Sequence, residues 1–381
     1  MRVILENCSN EVRITKSVIV AAARNSESGK EMIHLLLENC GNEVNITKDL
    51  VLAAAQNYSS RNEILQLLLE KRGDEFEITE EVVVAIAHWF QEEVILLLLE
   101  KRGDEVTITE EVVVAAARNK WSGKKVIELL LDKRGSEVTI TKKVIVAAAR
   151  NIIGKEAIQP LLEKRGSEVT ITEEVVMAAV GNHKEVIQLL LEKRGSEVQI
   201  TEKVVVAAVG NHKEVIQLLL EKRGDEVKIT EDVVVRAAVN YDGKEIIQLL
   251  LEKRSDEVKI TEEVVVRAAG NYNGREIMEL LLEKRSDEVK ITEEVVLAAA
   301  GNEEIGKQII QLLLKNRGNE VKITEEVLKA AAGNEEIGKE IIQLLLENRG
   351  NEMKITEEVL KAATENGRVM QLLLEHHHHA L

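Results

Sequence analysis

Ile200-Thr201-Glu202-Lys203-Val204-Val205-Val206-Ala207-Ala208-Val209-Gly210-Asn211-His212-Lys213-Glu214-Val215-Ile216-Gln217-Leu218-Leu219-Leu220-Glu221-Lys222-Arg223-Gly224 decides the fold, because nearly all of the remaining chain repeats it. Counted by the Thr of each Ile-Thr pair, the copies begin at Thr15, Thr47, Thr79, Thr109, Thr141, Thr172, Thr201, Thr230, Thr261, Thr292, Thr324 and Thr356. Twelve units at a spacing of 29 to 32 residues have the period of a solenoid of stacked supersecondary units.

Each unit reads as two helices. The Thr suits a helix N-cap, and an acidic pair behind it (Glu110-Glu111, Glu173-Glu174) suits the positive end of the helix dipole. Six apolar residues follow, as in Val112-Val113-Val114-Ala115-Ala116-Ala117, leaving little polar face, so neighbours must cover this first helix. Ten residues after the Thr comes an Asn in eleven of the twelve units, expected to end the helix in a left-handed conformation. The second helix is typified by Gly243-Lys244-Glu245-Ile246-Ile247-Gln248-Leu249-Leu250-Leu251-Glu252-Lys253-Arg254, apolar along one stripe and basic in its last turn. A short Val-x-Ile link leads to the next Thr. Its β-branched residues also permit a strand, but no Leu-x-x-Leu-x-Leu pattern accompanies them and Ala-Ala-Ala is a poor strand.

The expected fold is therefore all-α, an α/α solenoid of twelve helix-turn-helix repeats. Residues 1–374 form a single solenoid with a partial repeat at 1–14 before the twelve units. Residues 375–381, ending His376-His377-His378-His379-Ala380-Leu381, read as a tag remnant and are set aside from metal-site reasoning. The chain opens inside a repeat and neither end carries a polar cap, which implies a fragment of a longer protein.

Composition narrows the function. The net charge of −16 disfavours nucleic acid and anionic membranes as partners, since both need a basic surface. Lys-Arg pairs at the ends of the second helices (Lys71-Arg72, Lys133-Arg134, Lys193-Arg194) are expected to face the acidic starts of the first helices as exposed ion pairs. No apolar run reaches membrane-spanning length. Cys8 and Cys40 sit at the same position of successive units, about 10 Å apart by helix stacking and beyond disulfide reach. Free thiols fit a reducing, cytoplasmic setting. Carboxylates recur in every unit, whereas a catalytic pair should be singular; His183 and His212 would lie about 10 Å apart, too far to share a zinc. The expectation is a protein that is not an enzyme, with no cofactor and no metal.

Variation is concentrated between the two helices, where length and residue type change from unit to unit. Six of the seven aromatic residues fall there, with only Phe76 elsewhere. Stacking would set these segments in a row, so Tyr58, Trp89, Phe90, Trp121, Tyr241 and Tyr272 are expected to be exposed and, with Ile152, Ile153, His183 and His212, to form a recognition stripe. Arg236 and Arg267 replace an Ala six residues after the Thr in adjacent units. Paired with Tyr241 and Tyr272 they would offer a site for a partner's carboxylate or phosphate, unless they only reach nearby Asp232, Glu262 or Glu263. Pro160 stands inside a second helix, where a kink or a late start is expected.

Asn182-His183-Lys184-Glu185-Val186-Ile187-Gln188-Leu189-Leu190-Leu191-Glu192 resembles the second helix of an ankyrin repeat with its preceding turn, and the Ala-Ala before it resembles the ankyrin first helix. The ankyrin Thr-Pro-Leu-His is here Thr-Glu-Glu-Val, and the link is too short for the full ankyrin β-hairpin. Near-identical units of this type also resemble the C-terminal repeat arrays of fungal NLR-like (STAND) receptors. That resemblance implies a ligand-sensing array joined to a nucleotide-binding switch, although no Gly-x-x-x-x-Gly-Lys-Ser/Thr occurs in this chain. The sequence thus favours a scaffold for a protein or peptide ligand. The alternative is a structural spacer or a rod that self-associates end to end.

Overall fold

The computed structural model describes residues 14–40, 46–75, 78–182, 184–364 and 366–379. Cys8, Phe76 and His183 lie outside them, as does the side chain of Cys40. The chain divides into two units, Met1–Gln199 and Ile200–Leu381.

In the first unit the helices come in pairs: α1 (Lys16–Arg24) and α2 (Gly29–Cys40), α3 (Lys48–Ala55) and α4 (Arg61–Arg72), α5 (Glu80–Trp89) and α6 (Glu92–Arg102). Then follow α7 (Glu110–Arg118) and α8 (Gly123–Arg134), α9 (Lys142–Ala149) and α10 (Gly154–Arg165), α11 (Glu173–Val180) and α12 (Lys184–Arg194). The second unit holds α13 (Glu202–Gly210) and α14 (Lys213–Arg223), α15 (Glu231–Ala238) and α16 (Gly243–Arg254), α17 (Glu262–Gly270) and α18 (Gly274–Lys284). It ends with α19 (Glu293–Ala300) and α20 (Gly306–Arg317), α21 (Glu325–Gly333) and α22 (Gly338–Arg349), α23 (Glu357–Ala362) and α24 (Gly367–His379). Among the described residues there is no strand. Odd-numbered helices pack on odd and even on even within each unit, giving two layers whose facing sides make the core.

The core is aliphatic. Val113, Ala116 and Ala117 of α7, and Val126, Ile127 and Leu130 of α8, are buried. The Val-x-Ile link is extended without a partner strand: Val106 and Ile108 turn inward and Thr107 outward. α10 runs unbroken from Gly154 to Arg165 with Pro160 buried inside it. Glycine opens many even-numbered helices for a steric reason. A Cβ on Gly274 or Gly306 would strike the carbonyl oxygen of Ala268 or Ala299 in the preceding helix.

The capping Thr has the extended backbone of an N-cap, but its hydroxyl serves a second purpose. Those of Thr109, Thr141, Thr324 and Thr356 donate to Glu80, Glu110, Glu293 and Glu325, the first residue of the corresponding helix one repeat earlier. Five Thr oxygens, including Thr141 and Thr324, also accept from the first-turn N–H at a long 3.4 Å.

The recurring Asn does not work as expected. Asn25 (φ −69°, ψ 111°) and Asn119 (φ −67°, ψ 113°) are extended, and no described non-Gly residue has positive φ. Its amide is a buried inter-repeat clamp. Asn151 Nδ2 donates to Ala117 O (2.8 Å) and Asn119 O (3.0 Å) of the preceding repeat. Asn271 does the same to Ala238 O (2.8 Å) and Asn240 O (3.0 Å). The side-chain oxygen holds the loop that follows: Asn119 Oδ1 accepts from Trp121 N (3.0 Å) and Ser122 N (2.9 Å), and Asn302 Oδ1 from Glu304 N (3.1 Å) and Ile305 N (3.0 Å). One side chain satisfies two carbonyls and two N–H groups that burial would otherwise leave unpaired. Asn211 departs, turning its amide onto Ala207 O of its own helix (2.6 Å).

A second ladder lies at the other end of each pair. Arg134 Nη1 and Nη2 donate to Gly103 O (2.8 Å) and Val106 O (2.9 Å) one repeat earlier, while the same guanidinium holds Glu137. Arg285 repeats this with Ser255 O, Val258 O and Glu288. The terminal arginines are thus half-buried staples paired with the Glu three residues on, and the acidic first turns are not their partners.

Candidate ligand-binding grooves

The clamps free the loop edge to vary. Among the described residues seven large hydrophobic side chains stand exposed: Tyr58, Trp121 and Ile152 on the loop edge of the first unit, Val239, Tyr241 and Tyr272 on that of the second, and Leu374 elsewhere. Exposed apolar side chains gathered in this way mark candidate interaction surfaces.

Tyr58 (75% exposed), Ile152 (62%), Tyr241 (72%) and Tyr272 (60%) point outward as expected, and Trp121 is exposed over 46% of its surface. His212 is exposed and Ile153 half-buried. Phe90 corrects the expectation: it is fully buried. Trp89 is half-buried. Their repeat has Trp89 in place of Asn; α5 runs on through Trp89, and Phe90, extended at its C-cap (φ −109°, ψ 165°), turns into the core.

The missing Asn is compensated from the repeat before. Arg61 occupies the helix-opening position that Gly holds in α2, α8 and α10, and its buried guanidinium donates to Trp89 O (3.3 Å). It lies 4.0 Å from the Trp121 ring and 5.4 Å from the Tyr58 ring, while Trp121 packs on Trp89 at 5.7 Å between centroids. Burial lowers the Arg61 pKa, and Tyr58 opposes the shift. Where the Asn rung is missing, the cluster thus ties neighbouring repeats through cation–π contact and a single hydrogen bond to the Trp89 carbonyl. Arg61 was not singled out in the sequence, although Arg in place of a recurrent Gly, one repeat before the missing Asn, is a readable signal.

Two grooves form beside the edge. In the second unit a groove of about 440 Å³ is lined by Val239, Tyr241, Val266, Arg267, Tyr272 and Ala298, among others. The Tyr241 and Tyr272 rings stack across it with centroids 6.5 Å apart and planes at 28°. Arg267 bonds Glu263 at 2.6 Å, on its own helix. Arg236 instead lies over Gly210, whose carbonyl it meets at 3.4 Å. The two arginines therefore have different partners, and the fork of Arg267 is already partly used.

In the first unit a larger groove, about 540 Å³, is lined by His88, Arg118, Lys120, Lys142, Lys143 and Arg150 over a floor of Val146 and Ala147, with Ile152 at its rim and Glu174 at its edge. Lys142 pairs with Glu174 at 2.7 Å and Lys143 with Glu111. Burial lowers the His88 pKa, a hydrogen bond to the Ala115 backbone opposes that, and Arg118 and Lys120 lower it further. Sequence reasoning passed over these residues. The signal was present: the ninth residue after the Thr is His88, Arg118 and Arg150 in three successive repeats and Gly181 in the next, and Lys142-Lys143 replaces the usual Glu-Glu. Among the described residues no group of three or more His, Cys, Asp or Glu is placed to hold a metal, and no helix is long and apolar enough to cross a membrane.

The fold is similar to that of two solved structures of the pentatricopeptide repeat protein PPR10, one of them a triple cysteine-to-serine variant, each in complex with an 18-nt psaJ RNA element. Identity is 12% in each case, the TM-score 0.44, and the match covers 98% of this chain and 61% of theirs. This chain thus spans less than two thirds of those proteins. The exclusion of nucleic acid drawn from net charge is corrected here: both neighbours are helical repeat proteins solved on RNA, and a net charge is a sum that does not describe a local surface. The likeness is one of helical-repeat fold, and it assigns no ligand to this chain. No curated protein matches in sequence. The ankyrin and receptor resemblance rests on the sequence motifs alone. Matches to one repeat family cover residues 3–32, 35–64, 67–88, 97–126, 129–157, 161–186, 189–215, 218–246, 249–278, 280–309, 312–341 and 344–370. The chain is a twelve-fold tandem helical array and belongs to that family, described as a domain of unknown function, DUF7104.

Proposed function

We propose that this helical repeat scaffold binds a protein or peptide segment along the loop edge. The observation that carries the reading is that, among the described residues, nearly all exposed large hydrophobic side chains gather on the loops, beside open grooves. Exposed tyrosine and tryptophan on a rigid backbone supply contact area at low entropic cost. A spacer has no use for such side chains. In the setting that the sequence resemblance implies, the scaffold would be the ligand-sensing array of a larger fungal receptor-like protein.

A random peptide library selected on the full chain tests the reading. Enriched peptides are expected to lose at least about tenfold in affinity, roughly 1.4 kcal/mol, when Tyr241 and Tyr272, or Trp121, are changed to Ala. Melting temperature should scarcely move for the tyrosines. A library that yields no binder, with the chain instead associating end to end as concentration rises, would favour the spacer.

A further inference from the structure

We infer that the groove between α7 and α9 takes an acidic peptide segment, with carboxylates on Arg118, Lys120 and Arg150 and an apolar side chain on the Val146-Ala147 floor. This deepens the proposed function by naming the partner's chemistry. Charge is the first ground. The chain carries −16 overall, yet residues 101–150 hold 11 Lys and Arg against 7 Asp and Glu. Within the groove Lys142 and Lys143 are satisfied by Glu174 and Glu111, whereas Arg118, Lys120 and Arg150 are exposed and form no ion pair among the described residues. The converging cations outnumber the carboxylate beside them, Glu174, on which Arg150 also acts, and so create a positive potential; burial lowers the His88 pKa and Arg118 and Lys120 lower it further.

Extent is the second ground. The unbroken run of basic ninth residues is His88, Arg118 and Arg150, bounded by Gln56 in the repeat before and Gly181 in the repeat after, with Arg24 standing apart from it. A nucleic-acid backbone draws affinity from many phosphate contacts along a continuous basic track; this cluster ends within three repeats. A short acidic segment with an aliphatic side chain matches both the size and the mixed lining. Arginine presents a planar fork to a carboxylate, which favours Arg118 and Arg150 as the anchors.

Fluorescence anisotropy on the full chain tests this with three labelled probes: a peptide of alternating Glu and Val, the same peptide with Gln for Glu, and a single-stranded uridine RNA. The Glu peptide should bind at least about tenfold more tightly than the Gln peptide, and should weaken as salt screens the charges. The Arg118→Gln, Lys120→Gln, Arg150→Gln variant should erase that preference. A control that removes the same charge from exposed Lys228, Lys259 and Lys290 should leave it intact. Equal binding of the Glu and Gln peptides, or equal loss in the control, overturns the acidic-peptide site. RNA binding more tightly than the Glu peptide and lost with the same three residues overturns it in favour of a phosphate backbone. The two readings fail separately: if library-selected peptides still bind while the Glu preference is absent, the scaffold stands and only the basic groove falls.

Discussion

The two grooves are built at matching places in the repeat and have opposite surfaces. In the first unit the ninth and eleventh residues after the Thr are Arg118 with Lys120, then Arg150 with Ile152. In the second they are Val239 with Tyr241, then Gly270 with Tyr272. The tenth residue is Asn in all four repeats, buried and bonded to the repeat before. The structural duty and the variable surface thus fall on alternate residues of one short segment. The Asn side chain meets the backbone's hydrogen-bonding needs, so its two neighbours are free to be cationic, aliphatic or aromatic.

If that division is right, the greatest effect comes from the shared residue. Asn119→Ala and Asn271→Ala each strand two carbonyls of the preceding repeat and release the loop behind. Each should cost about 2–3 kcal/mol, similar in both units, by chemical denaturation. A loss confined to one unit would break the parallel. Next is the exception. Arg61→Ala should cost about 1–2 kcal/mol, and combining Arg61→Gly with Trp89→Asn, which rebuilds the ordinary rung, should recover most of it. No recovery would mean that Arg61 does more than replace an absent Asn.

The sharpest test of independence is an exchange. Arg118→Val with Lys120→Tyr writes the Val239 and Tyr241 identities into the basic groove. Stability should stay within about 0.5 kcal/mol, while the preference for acidic peptide disappears. The smallest effect is common to both units. Glu137, Glu168, Glu257, Glu320 and Glu352 are held below the ordinary 4.5, chiefly by hydrogen bonds from the Arg three residues before. Depressed carboxyl pKa values stabilise the fold above that ordinary value, and the contribution is lost as pH falls through the folded-state values. Melting temperature should therefore be flat from neutral pH to about 5 and decline below it, gently because these pairs are largely solvated.

The sequence by itself determined the repeat, its two helices, the aliphatic core and the crowding of variable residues onto one edge. These follow from local pattern: a Thr cap, runs of Val and Ala, a Leu stripe and a fixed period act through neighbours in the chain. Tyr58, Trp121, Ile152, Tyr241 and Tyr272 were legible as exposed because loops of ordinary length carry them. Tertiary structure alone decided the rest. Phe90 went inward where its helix runs on through Trp89, Arg61 reaches the Trp89 carbonyl in the next repeat, which lacks the Asn, and Asn proved to be a clamp because its acceptors lie 29 to 34 residues earlier. Likewise His88, Arg118 and Arg150, some thirty residues apart in sequence, make one surface only when repeats stack. Hydrogen bonds and potentials act through space, and a period read along the chain does not reveal which side chain of one repeat completes the next.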